Sequence, residues 1–195
     1  MVGLAAAAAA ISVAAAAPLT IEVKPTVVVV GEQANVIVAP GIDRSERMTI
    51  EMRICSDSAW RTVAAARSWP DGYWTAGVHP TFNGSVRARV GATTSAPVRV
   101  QVRPYVNLDV LQRPWFKVEV GAGRYLPGKR VYLQQFANGA WRRVAATRLQ
   151  RERAVAYAIS SGRFSYRAPA GAKLRALVPA ASCYLSGISR VEARD

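Results

Sequence analysis

The sequence predicts an all-β protein built as two similar antiparallel β-sandwiches in tandem. Apolar and polar residues alternate with a period of two along most of the chain, and turn residues break that alternation at short intervals. In addition, the chain repeats itself. Trp60-Arg61-Thr62-Val63-Ala64-Ala65-Ala66 returns as Trp141-Arg142-Arg143-Val144-Ala145-Ala146-Thr147, 81 residues later. Gly72-Tyr73-Trp74-Thr75 then aligns with Gly162-Arg163-Phe164-Ser165. Val86-Arg87-Ala88-Arg89-Val90 aligns with Leu174-Arg175-Ala176-Leu177-Val178, by which point the offset is 88. The second copy therefore carries a seven-residue insertion around Gln150 to Ile159. A period this long indicates duplicated domains, because solenoid repeats run at about 20 to 50 residues.

Residues 1–17 are expected to lie outside the fold. No charge occurs from Val2 to Ala17, and Leu4 to Ala17 is almost all Ala. An apolar stretch closed by small residues before Pro18 reads as a secretory signal peptide, and it is shorter than the ~20 apolar residues of a membrane-spanning helix. No Lys or Arg precedes it, so an uncleaved anchor is the competing reading. The mature chain is expected to have no transmembrane segment.

The first copy, residues 18–103, opens with strands at Thr20 to Lys24, Thr26 to Val30 and Ala34 to Val38. Met48 to Ile54 alternates cleanly, with Met48, Ile50, Met52 and Ile54 predicted to face inward. Pro97 to Val102 closes the copy, and the boundary falls at Val102-Arg103-Pro104. The second copy, residues 104–195, shows Val106 to Val110, Phe116 to Val120, Arg130 to Phe136, Trp141 to Thr147, Arg163 to Arg167, Lys173 to Val178 and Ile188 to Ala193. Roughly seven short strands in about 100 residues is the pattern of an immunoglobulin-like sandwich. Gly121-Ala122-Gly123 reads as a hairpin turn. A linker this short predicts a stiff pair of domains.

One hairpin can be registered from sequence. Asn138-Gly139 suits a type I′ turn, whose two central residues need positive φ. Phe136 should then pair with Trp141, Gln134 with Arg143, Leu133 with Val144 and Val131 with Ala146. Leu133, Val144 and Val131 face the core, while Phe136, Trp141, Tyr132 and Arg143 face out. In the first copy a turn at Asp57-Ser58 should pair Met52 with Val63 and Cys55 with Trp60.

The repeated features are a Gly before an early strand, a W-x-x-V-A run, a G-x-(aromatic) strand and a (Val or Leu)-Arg-Ala strand. They are Gly31, Trp60, Val63, Gly72, Trp74, Val86, Arg87 and Ala88, and again Gly128, Trp141, Val144, Gly162, Phe164, Leu174, Arg175 and Ala176. This arrangement resembles the bacterial immunoglobulin-like or fibronectin-III-like repeats of secreted proteins from high-GC bacteria, over essentially all of the mature chain. The resemblance implies a sandwich fold and an extracellular or cell-envelope setting, and says little about a ligand.

Chemistry is sparse. His79 is the only His and precedes Pro80 in a turn-like segment, with no G-x-S-x-G elbow. No zinc spacing, calcium-binding acidic run or glycine-rich phosphate loop is present, so no catalytic, cofactor-binding or metal-binding residues are expected. Cys55 and Cys183 could bridge the two copies or remain two separate thiols.

Charge is more informative. The net charge is +14, from 22 Arg and 4 Lys against 12 acidic residues, and a GC-rich genome accounts for part of the Arg excess. Codon usage should load both copies alike, yet residues 18–103 hold 10 basic and 7 acidic residues while 104–195 hold 16 and 5. The basic second copy is thus the candidate contact for an anionic partner. Its outward stripe of Tyr132, Trp141 and Arg143, with Lys129, Arg130 and Arg142 nearby, mixes rings and cations as a sugar or nucleotide surface does. Packing at the sandwich edge is the competing reading for Trp141, since Trp60 occupies the matching place in a nearly neutral copy. Two functions follow: a secreted non-catalytic surface, adhesion or spacer protein, or a binder of an anionic wall polymer, acidic glycan or DNA. Another envelope protein is a further candidate partner, and no specific small-molecule substrate is expected.

Overall fold

The computed structural model describes residues 18–39, 47–55, 57–68 and 73–193. The expected leader, residues 1–17, lies outside them, as does Gly72 of the repeated motif. Among the described residues there are strands, turns and no helix. No helix there is long and apolar enough to cross a membrane.

The first half contains β1 (Ile21–Lys24), β2 (Val27–Val29), β3 (Ala34–Val38), β4 (Met48–Ile54), β5 (Arg61–Ala65), β6 (Arg67–Ser68), β7 (Trp74–Val78), β8 (Gly84–Val90), β9 (Thr93–Thr94) and β10 (Val98–Arg103). The second half contains β11 (Tyr105–Val110), β12 (Trp115–Ala122), β13 (Arg130–Ala137), β14 (Ala140–Arg148), β15 (Gln150–Ala154), β16 (Ala158–Ser165), β17 (Lys173–Val178), β18 (Gly187–Ile188) and β19 (Glu192–Ala193). In the first half, one sheet has the order β1-β3-β7-β6 and the other β2-β10-β8-β4-β5, with β9 beside β8. In the second half the orders are β11-β12-β16-β15 and β14-β13-β17-β18, with β19 also on β17. Neighbours run antiparallel except β2, which pairs with β10 in parallel.

Two-residue alternation explains why these sheets bury one face each. Val36, Val38, Ile50, Val86 and Val100 are fully enclosed in a hydrophobic cluster confined mainly to the first half. Phe116, Val118, Leu133, Phe164 and Leu174 form a second cluster with the same construction. Each such side chain contributes about 1.5–3 kcal/mol on burial. Met48, Ile50 and Met52 point inward as their alternation predicts, while Ile54 is only half buried.

The two halves also share a buried serine device. Ser95 Oγ accepts from the Ala88 N–H at 3.0 Å and donates to Ala96 O, while Ser95 N–H donates to Ala88 O. Ser189 does the same with Ala176 at 2.9 Å and with Arg190 O. A hydroxyl here completes a ladder that the backbone alone leaves open.

Three sequence expectations need correction. At Asn138-Gly139 the turn forms with positive φ at both residues, and Phe136 pairs with Trp141 and Gln134 with Arg143. A bulge beyond Gln134 then shifts the register, so Leu133 pairs with Ala145 and Val131 with Thr147. One unpaired residue flips the alternation of all that follow, which residue spacing alone does not reveal. In the first half Met52 pairs with Arg61 and Glu51 with Thr62, two residues away from the expected register, again with a bulge. Finally, Gly121 and Ala122 are not a turn: they continue β12 and pair with Ile159 and Ala158.

Only Pro104 separates β10 from β11. Around it the halves are tied together. Cys55 and Cys183 form a disulfide, with Cα atoms 5.4 Å apart and 128 residues of separation. This resolves the choice between a bridge and two thiols. Asn83 is the hub beside it: its N–H donates to Cys183 O, its O accepts from Cys55 N–H, and its Oδ1 accepts from Val102 N–H at 2.7 Å. Leu185 N–H donates to Val102 O at 2.8 Å. Phe82 packs against the second cluster, and Tyr157, carried by the inserted segment, packs against the first. Tyr157 fits because Gly31 and Gly121 are glycines, a Cβ at Gly121 falling 2.3 Å from its ring.

Candidate binding surface

The outer face of β14-β13-β17 is built by register. On β13, Tyr132, Gln134 and Phe136 point away from the buried Val131 and Leu133. Trp141 stands opposite Phe136 and Arg143 opposite Gln134, while Arg175 of β17 flanks Gln134 from the other side. The result is two stacked groups. The Phe136 and Trp141 rings lie 5.3 Å apart, and the Arg175 guanidinium sits 4.1 Å from the centre of Trp141. Arg143 sits 4.1 Å from the centre of Tyr132. Arg175 Nε also donates to Gln134 Oε1 at 2.8 Å. Burial pushes the Arg175 guanidinium pKa down from its usual value, because desolvation disfavours the charged form.

Tyr132, Trp141 and Arg143 are thus brought together, and the other three sequence candidates are not. Arg130 shares the outward face but stands at the start of β13, opposite Arg148. Arg142 pairs with Gln135, whose Oε1 accepts from the hydroxyl of Tyr166 just after β16, so it projects to the opposite side from Arg143. Lys129 lies beyond the far end of β13, its Nζ 5.6 Å from the Tyr184 ring centre. There it lines a cavity of about 580 Å³ with Arg124, Tyr125, Leu126, Cys183 and Tyr184. Sequence reasoning joined these residues by proximity in the chain, whereas the pleat and the length of β13 separate them.

The residues it missed are Arg175 and Gln134, and it left Phe136, which it had placed on this face, out of the candidate set. The first half holds an equivalent stack: the guanidiniums of Arg87 and Arg53 lie 4.2 Å and 5.0 Å from the ring centre of Trp60. There the partner on β4 is Glu51, only 5% exposed, which accepts from Arg87 Nε at 2.7 Å and pairs with Arg89 at 3.4 Å. Two repeated motifs, W-x-x-V-A and (Val or Leu)-Arg-Ala, therefore meet in space twice. The charge balance differs between them. Glu51 neutralises its arginines, and Gln134 leaves the cation of Arg175 without a carboxylate on that strand.

A second polar cluster lies on the outer face of β12-β16-β15. Lys117 donates to Glu119 at 2.8 Å and to Glu152 at 2.9 Å, and Arg153 reaches both carboxylates. The hydrogen bonds to Glu119 and Glu152 raise the Lys117 pKa, and the bond from Lys117 lowers that of Glu152. His79 is exposed after β7. Among the described residues, no three His, Cys, Asp or Glu side chains gather as a metal site would require.

No protein-family model matches this chain, and no curated protein matches it. One similar solved structure is a chain from a cytokine receptor complex in crystal form 1A, with 15% identity and a TM-score of 0.39. The similarity covers 89% of this chain and 94% of that one.

Proposed function

We propose that the chain is an exported, non-catalytic surface or spacer protein made of two immunoglobulin-like modules, residues 18–103 and 104–195. The strand orders support the module assignment: each half reproduces a four-stranded A-B-E-D sheet facing a sheet that contains C, F and G. The Cys55–Cys183 bond carries the functional reading. Such bonds persist in oxidising compartments, which agrees with reading residues 1–17 as a secretory signal. It also joins the two modules across a one-residue linker, with Asn83, Phe82 and Tyr157 bracing the same junction. A molecule so braced holds whatever it carries at a fixed distance and angle.

The test is a pair of spin labels, one on exposed Thr93 and one on exposed Ser165, measured by pulsed EPR before and after Cys55→Ser/Cys183→Ser substitution. A narrow distance distribution in the native protein, broadening in the variant, supports a braced spacer. A broad distribution in the native protein overturns it.

A second reading is favoured by one observation, the replacement of Glu51 by Gln134 at matching places in the two stacks. The basic outer face around Tyr132, Trp141, Arg143 and Arg175 is then a contact for an anionic extracellular polymer such as a wall polymer, an acidic glycan or DNA. Retention on heparin that falls steeply with salt, and falls further in Arg143→Ala, supports it. Retention that is absent or insensitive to salt removes it.

A further inference from the structure

The end of the second half remote from the Cys55–Cys183 junction carries exposed apolar residues beside Arg167. β11 starts next to Pro104 and runs six residues away from the junction, roughly 20 Å, before reaching the loop into β12. At the ends of the two strands and in this loop, Val110 is 44% exposed, Leu111 37% and Trp115 47%. Leu111 and Trp115 are fixed by the backbone: Leu111 N–H donates to Trp115 O, and Trp115 N–H donates to Gln112 O, both at 3.0 Å. Tyr166 N–H donates to Pro114 O at 2.9 Å, which brings the segment after β16 alongside. Between the two segments is a cavity of about 280 Å³ lined by Arg113, Pro114, Arg167 and Ala168.

We propose that this end of the molecule seats on an anionic phospholipid surface. Trp115 and Leu111 enter the headgroup layer, and Arg167 meets lipid phosphates. The charge is complementary, since Arg167 lines the cavity beside the apolar residues and the half as a whole is strongly basic. Among the described residues, the acidic side chains on adjoining strands are Asp109, which accepts from Asn107 at 2.8 Å, Glu119, which is paired with Lys117 and Arg153, and Glu192. Apolar residues beside cations suit the bilayer interface, where an indole lies at headgroup depth and aliphatic tips gain by leaving water. A glycan offers aliphatic tips such as Val110 and Leu111 little, because it has no apolar interior to receive them. The proposal does not rest on the spacer reading, and the two fail separately: label distances test one and vesicles the other.

The experiment is flotation of the full chain with phosphatidylcholine vesicles, with and without phosphatidylglycerol, alongside fluorescence quenching by brominated lipid. Wild type should float with the anionic vesicles and show quenching, and the quenching should be lost in Trp115→Phe. Leu111→Ser/Trp115→Ser should lower partitioning roughly tenfold, since both side chains would leave water on insertion. An unchanged melting temperature in that variant shows that the fold survives. Failure of wild type to float, equal flotation of wild type and the double variant, or unchanged quenching in Trp115→Phe each overturns the proposal. Heparin competition that strips both proteins equally from the vesicles also overturns it, because adhesion would then be electrostatic alone.

Discussion

The guanidinium of Arg175 lies 4.1 Å from the ring centre of Trp141, and the same Arg is held by Gln134 at 2.8 Å. In the first half Glu51 holds the equivalent Arg87. Exchanging the two acceptors separates stability from charge. Glu51→Gln should cost about 1 kcal/mol or less, since an amide still receives the guanidinium, as Gln134 does. Glu51→Ala should cost about 2–3 kcal/mol, because it leaves Arg87 partly desolvated without an acceptor. Denaturant melts of both variants check the order. If the anionic-polymer reading holds, Gln134→Glu should lower the salt needed to elute the protein from heparin without lowering stability.

The junction makes a second prediction. Cys55→Ser/Cys183→Ser should lower stability by about 2–4 kcal/mol, as is usual for a crosslink that closes a long loop. Asn83→Ala should cost about 1–3 kcal/mol by leaving the buried Val102 N–H unpaired. Calorimetry on the native protein should show one transition, and on the cysteine-free Asn83→Ala protein two. A single sharp transition in the latter would mean that the packing of Phe82 and Tyr157, with the backbone hydrogen bonds to Cys183 and from Leu185, is enough to couple the halves.

Acid should weaken the Lys117 cluster. Because the Glu152 pKa lies below its usual 4.5, the stability it supplies is fully present above that value and is lost as pH falls through the folded one. Lys117 is raised above its usual 10.5, so its contribution is present below that value and is lost as pH rises through the folded one. Both groups are partly exposed, which limits the effect to about 1 kcal/mol or less. Glu152→Gln should therefore melt slightly below wild type at neutral pH, and the difference should shrink as the pH falls through the folded pKa of Glu152. A difference that persists in acid would trace the loss to packing.

The paired serines give the last prediction. Ser95→Ala and Ser189→Ala should each cost about 1–3 kcal/mol, since each strands a buried N–H, of Ala88 or of Ala176. Thermal melts should show similar shifts for the two. A neutral Ser189→Ala would show that water replaces the hydroxyl there.

Alternation made the inward faces of β4 and β13 legible in the sequence, because a strand with one buried face writes its burial every second residue. The bulges in β5 and β14 left no such trace, since one extra residue changes register without changing composition. The stack of Trp141 on Arg175 was also hidden. Its parts lie on strands joined by neither a hairpin nor a short loop, so only the pairing of β13 with β17 brings them together. For Arg142 and Lys129 the misleading signal was nearness along the chain: a pleat sends neighbours to opposite faces, and β13 spans the length of the half. Ser95 and Ser189 stand seven and thirteen residues beyond their partners Ala88 and Ala176, so no constant spacing announced them.

The position of Cys183 has a consequence for biosynthesis. Its partner, Cys55, stands 128 residues earlier, in the other half. Oxidation of the pair is therefore withheld until both halves have left the ribosome. A product terminated between the two cysteines carries an orphan thiol at Cys55, chemically marked as incomplete.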